Sequence, residues 1–240
     1  YGKTVAADLG GQFEQLRYRL YTLEKSILTT LENQRRLAGR NLYLLVTEEL
    51  CHHGSGPAIR GALAGGVSIV ELLDKDMPDR RLLEFARRVR EWTREAGAMF
   101  IMNDRPDLAL LSDADGVHIG QDELSVKDAR RIVGTDKSVG VSTHTIEQAR
   151  QAVIDGADYL GVGPVFSSTT KQFTDLAGLD FVRQVAAEIT LPWYAIGGIT
   201  RENIAEVTAA GATRVAVSSA VCSAEDSQSA AAELLSALKN

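Results

Sequence analysis

Eight short apolar runs, rich in β-branched and aromatic residues, recur between residues 42 and 217: LYLLV, VSIVELL, AMFIM, DGVHI, SVGVS, DYLGVG, WYAIG and TRVAV. The segments between them carry helical spacing with charged faces, as in RRLLEFARRVREWTREAG (80–97), TIEQARQAVIDG (145–156) and DFVRQVAAEI (180–189). Strand, helix, strand alternation implies parallel pairing through right-handed crossovers. Eight such units in roughly 200 residues are what closing a barrel requires. The expected architecture is therefore α/β, a (β/α)8 TIM barrel over residues 41–240, with an additional N-terminal helix in residues 1–40. An open doubly wound sheet is the alternative, and the lack of a G-x-G-x-x-G after the first run counts against its dinucleotide-binding form.

Residues 12–40 differ in kind. Phe13, Leu16, Leu20, Leu23, Ile27 and Leu31 form one stripe of an amphipathic helix. Such a stripe calls for a cover, either the barrel or a second subunit, so a homo-oligomer through this helix is one expectation; a membrane or regulatory role is the other. No stretch approaches the eighteen or so uninterrupted apolar residues of a membrane span, and no signal pattern opens the chain. The net charge of −6 argues against nucleic acid or anionic membrane as the main partner. Cys51 and Cys222 lie far apart in sequence and offer no disulfide framework, which fits a reducing, cytoplasmic location. The chain begins at Tyr1 without methionine and reads as part of something longer.

In a closed parallel barrel every strand ends on one face, so residues following the apolar runs become neighbours whatever their separation in sequence. That rim has two halves. Asp104 and Glu123 follow adjacent strands. As hard oxygen ligands they suit Mg²⁺ shared with substrate phosphates, or else they cap the helices that begin there. Gly197 and Gly198, in the IGGIT segment after the seventh run, suit close backbone approach to an anion, or a plain tight turn. After the sixth run, GVGPVF leads directly into SSTTK, which brings hydroxyl donors and one ammonium to the same face. A metal-binding half, two anion-binding regions and no nucleophile with a base point to joining two phosphorylated molecules, with phosphate or pyrophosphate leaving.

MNDRPDLAL, ADGVHIGQDEL, GVSTHTIEQA, DYLGVGPVFSSTTK and AIGGITRENI, in that order over about residues 42–238, resemble thiamine phosphate synthase. The resemblance implies a Mg²⁺-dependent (β/α)8 transferase that condenses hydroxymethylpyrimidine diphosphate with thiazole phosphate and releases pyrophosphate. It implies that Asp104 and Glu123 hold Mg²⁺, that Lys171, Lys75 and Ser142 carry the catalytic roles, and that Asn103, Ser142, Lys75 and Lys171 meet the pyrimidine diphosphate. Ser168, Thr169, Thr170, Gly198, Ser218 and Ser219 would then hold the thiazole phosphate. The implied chemistry is dissociative: pyrophosphate leaves, the aminopyrimidine bears the cationic methylene, and the thiazole nitrogen attacks.

The second run departs from the family. Its substrate-binding signature usually reads glutamine, leucine, arginine, acidic, lysine; here it is Glu71, Leu72, Leu73, Asp74, Lys75. Losing an arginine from a diphosphate clamp costs on the order of 1.5 to 3 kcal/mol unless another cation, such as Arg105, substitutes. Glu123 stands where aspartate is usual. A sibling branch, the thiazole tautomerases, uses a histidine on the fifth-strand loop, where this chain has His144. A barrel that binds thiazole or thiamine phosphate without turnover is the non-enzymatic alternative. Cys51, His52 and His53 are adjacent but lack an evident fourth metal ligand and read as loop decoration.

Overall fold

The computed structural model describes residues 2–167 and 176–238. Helix α1 spans Gly2–Leu37. The strands follow as β1 (Leu42–Val46), β2 (Ile69–Leu72), β3 (Met99–Asn103), β4 (Gly116–Ile119), β5 (Ser138–Thr143), β6 (Tyr159–Val162), β7 (Trp193–Ile196) and β8 (Val215–Val217). All eight expected runs are strands. They pair in parallel and in sequence order, and β1 closes on β8 through Leu42–Val215, Tyr43–Ala216 and Leu44–Val217. The doubly wound alternative is thereby excluded.

Helices lie between the strands: α2 (Ser55–Ala64), α3 (Asp79–Glu95), α4 (Pro106–Leu111), α5 (Val126–Val133), α6 (Ile146–Ile154), α7 (Gly178–Glu188) and α8 (Ile204–Ala209). After β8 come the single turn α9 (Ser219–Cys222) and α10 (Ser227–Ala237). Several starts follow local chemistry. Ser125 and Thr145 accept hydrogen bonds from the third residue beyond them, and Asp226 accepts two, which satisfies orphan N–H groups at α5, α6 and α10.

Period-2 alternation divides the strand side chains into two layers. Leu44, Val70, Leu72, Phe100, Met102, Val117, Val139, Leu160 and Val217 are buried in the hydrophobic cluster that the strands share with residues of the helices. Each such side chain contributes roughly 1.5–3 kcal/mol on burial. The alternate positions point into the barrel, where Tyr43, Tyr159 and Tyr194 meet with centroids 5.1 to 6.1 Å apart. Gly140 makes room for them, because a Cβ there would stand 2.2 Å from the Tyr159 ring.

The chain divides into two compact units, one up to Ala38 and one from Gly39 onward. On α1 the stripe residues Phe13, Leu16, Leu20 and Leu31 are exposed. The side chains of Leu23 and Ile27 lie outside the described residues. No helix among the described residues is long and apolar enough to cross a membrane.

Candidate active site

Parallel closure puts the carboxyl ends of all eight strands on one rim. At its β2–β4 side, Lys75 Nζ lies 2.8 Å from Asp104 Oδ2 and 3.5 Å from Glu123 Oε1. Two carboxylates thus converge on one ammonium, and hydrogen bonding to Asp104 raises the Lys75 pKa above its ordinary value. Neither carboxylate caps a helix. Arg105 occupies the cap position of α4, and Ser125 caps α5 with its own hydroxyl. Asp104 adopts φ 55°, a left-handed conformation uncommon outside glycine, while its N–H donates to the His118 carbonyl at 2.8 Å. A backbone held in that region aims the side chain at the rim at some cost in strain.

Beneath this pair runs a polar relay inside the barrel. Tyr43 O–H donates to Glu71 Oε2 at 2.6 Å, and Asn103 Nδ2 donates to Glu71 Oε1 at 2.7 Å. Tyr43 and Tyr159 hydroxyls are 3.1 Å apart, Tyr159 lies 3.3 Å from His118 Nδ1, and His118 Nε2 lies 3.0 Å from Ser142 Oγ. A hydroxyl has one proton to give. With Tyr43's proton on Glu71, Tyr159 must donate to Tyr43, and His118 Nδ1–H must donate to Tyr159. In the neutral imidazole, Nε2 then accepts from Ser142. Burial, followed by the charge of Glu71, pushes the Tyr43 phenol well above its usual pKa, and burial does the same to Tyr159. Both therefore remain neutral hydrogen-bonding groups.

The relay revises the reading of the second-strand segment. Glu71 is buried, with 1% of its surface exposed, and its carboxylate is satisfied from two sides. Leu72 does not bring its side chain to the rim; it lies in the apolar cluster outside the strands. Asp74 spends a carboxylate oxygen on the Met77 N–H at 3.0 Å, closing a local turn. Leu73 is half-buried at the end of β2, with its N–H bonded to Val46 O. Arg105, the candidate substitute cation, is engaged by two carboxylates. Asp79 and Asp107 hold its guanidinium at 2.7 Å each, so its charge is already matched.

Across the rim, Gly197 and Gly198 both have positive φ, and a Cβ on Gly198 would meet Ser167 O at 2.3 Å. Phe166 N donates to Gly197 O, which locks the loops after β6 and β7 together. Ser218 and Ser219 sit half-buried at the end of β8. On the loop after β5, His144 Nδ1 lies 2.6 Å from Gly163 O. Gln121 Nε2 donates to Ser142 O at 2.6 Å. Ser168, Thr169, Thr170 and Lys171 lie outside the described residues. Sequence reasoning named Glu71, Asn103 and Ser142 one at a time and missed Tyr43 and Tyr159, which join them through His118. The available signal was that position 43 shares its barrel face with position 71, and position 159 shares its face with position 161.

The model of the thiamine monophosphate synthase family matches residues 42–221. A thiamine-phosphate synthase of Gloeobacter violaceus is 46% identical over 226 residues, covering 94% of this chain and 65% of the relative's length. One from Moorella thermoacetica is 46% identical over 198 residues, 81% of this chain and 93% of the relative. The solved thiamine phosphate pyrophosphorylase from Pyrococcus furiosus superposes with a TM-score of 0.77 at 34% identity, over 83% of this chain and 96% of that one.

Proposed function

The chain belongs to the thiamine monophosphate synthase family, and from that premise we propose that it condenses hydroxymethylpyrimidine diphosphate with thiazole phosphate, yielding thiamine phosphate and pyrophosphate. The observation that carries this reading is the Lys75, Asp104 and Glu123 cluster at the barrel rim, contiguous through Asn103 and His118 with Ser142. Such a site supplies charge and position rather than a nucleophile, which is what departure of a diphosphate requires.

Among the described residues no group of three or more His, Cys, Asp and Glu side chains gathers as a metal cage. The donor set of Asp104 and Glu123 instead suits Mg²⁺, which binds through one or two carboxylates and takes its other oxygens from substrate phosphates and water. When bound, the ion would offset the charge of the leaving diphosphate. Lys75 faces the same leaving group with its ammonium, Asn103 offers it the Nδ2 proton that Glu71 does not take, and Ser142 orients it by turning its hydroxyl proton from His118 Nε2 to a diphosphate oxygen. Lys171 adds a second ammonium according to the family pattern. Pyrophosphate departs with the electron pair of the C–O bond, the aminopyrimidine ring delocalises the cationic methylene, and the thiazole nitrogen closes the new C–N bond.

The second phosphate is assigned to the opposite half of the rim: Gly198, Ser218 and Ser219, with Ser168, Thr169 and Thr170 from the family pattern. Incubation with both substrates and Mg²⁺, followed by chromatography for thiamine phosphate and a pyrophosphate assay, tests the reading. Both products should form in equal amounts. Conversion of a thiazole phosphate tautomer without pyrophosphate release would reassign the chain to the tautomerase reaction. Binding of either ligand without any turnover would leave a non-catalytic binding barrel.

A further inference from the structure

Cys51 and Cys222 are far apart in sequence, yet barrel closure makes them neighbours. Cys51 follows the turn after β1, Cys222 ends the turn after β8, and β1 and β8 are paired strands. In sequence the two offer no disulfide framework, and strand pairing alone brings their segments together. Cys222 Sγ lies 3.6 Å from Leu45 O of β1, and Cys51 Sγ lies 3.4 Å from Thr47 O just beyond it. Ser223 Oγ donates to Leu50 O at 3.0 Å and clamps the two segments together. Both thiols are buried, with 7% and 2% of their surfaces exposed. A cavity of about 310 Å³ lined by Cys222, His53 and Glu225 opens on the Cys222 side of the pair.

We propose that Cys51 and Cys222 form an oxidisable dithiol that closes to an intramolecular disulfide, a modification site tying the segment after β1 to α9. The oxidant belongs to the class of small disulfides. The thiolate of Cys51 attacks one sulfur of the reagent and expels one thiolate, leaving a mixed disulfide on Cys51. The thiolate of Cys222 then attacks the Cys51 sulfur and expels the second. Two protein thiols lose two protons and two electrons, and one small disulfide becomes two thiols. The order of attack follows from the pair's asymmetry. Hydrogen bonding from Cys222 lowers the Cys51 pKa despite the opposing influences of burial and Glu48, whereas the same contact, with burial, raises that of Cys222. Cys51 is also the more exposed thiol, at 7% against 2%, and is assigned the first attack. The tether would lie on the segment that carries Ser219, at the β8 side of the rim.

The folded protein is incubated with oxidised glutathione over hours, remaining thiols are blocked with N-ethylmaleimide, and intact mass and tryptic peptides are read. Circular dichroism confirms that the chain stays folded throughout. The expected product has lost two hydrogens, carries no adduct, yields one peptide pair joined through Cys51 and Cys222, and reverts with dithiothreitol. Cys222→Ala should instead accumulate one glutathione on Cys51, and Cys51→Ala should stay largely unmodified. Wild-type protein that ends as glutathione adducts, as disulfide-linked dimers, or with both thiols still open to N-ethylmaleimide overturns the proposal.

Discussion

The ammonium of Lys75 stands 2.8 Å from a carboxylate oxygen of Asp104, at the rim where strands β2 and β3 end. The contact favours the charged lysine, so the folded pKa lies above the unfolded value. Its contribution to stability is fully present below about pH 10.4, the reference lysine pKa, and is lost as pH rises through the folded value. Asp104→Asn should therefore lower the Lys75 pKa, read from the alkaline titration of ¹³Cε-labelled lysine. It should also reduce kcat/KM by about tenfold or more, because Asp104 is one of the two carboxylates assigned to Mg²⁺. An unmoved titration would dissociate the two side chains in solution.

Tyr43→Phe removes one of the two donors to Glu71. The carboxylate stays buried with Asn103 as its remaining partner, so unfolding free energy should fall by about 1–3 kcal/mol, measured in urea with an unchanged m-value.

Leu73 holds the position where the family pattern has arginine. Leu73→Arg combined with Glu71→Gln should lower KM for the pyrimidine diphosphate by about tenfold, on the scale of one added charge-assisted pair. KM for the thiazole phosphate should change little. Equal shifts for both substrates would show that the two halves of the rim are not independent.

Arg105 is matched by Asp79 and Asp107, and both carboxyl groups lie below their ordinary pKa because of it. Their contribution to stability is present above the unfolded carboxylate pKa of about 3.9 and is lost as pH falls through the depressed folded values. Arg105→Ala should thus flatten the loss of stability between about pH 5 and pH 3. It should leave KM for the diphosphate within about twofold, since the guanidinium is already committed. A large rise in KM would restore Arg105 as the substitute clamp.

The eight apolar runs were legible because each strand is a local pattern: β-branched and aromatic residues of the right length, bounded by helical segments. Their order fixed which residues reach the rim, so Lys75, Asn103, Asp104, Glu123, Ser142, Gly198, Ser218 and Ser219 could be named from the chain alone. What lies inside and across the barrel could not. Whether Glu71 repels a substrate phosphate or is absorbed by Tyr43 and Asn103 depends on which face of β2 it occupies and on what stands opposite in β1 and β3. Whether Arg105 is available depends on carboxylates at Asp79 and Asp107 that meet it only after folding. Cys51 and Cys222 become neighbours only when β1 meets β8. Local propensity sets the elements, whereas barrel closure sets the partners, and the availability of each polar group follows from its partners.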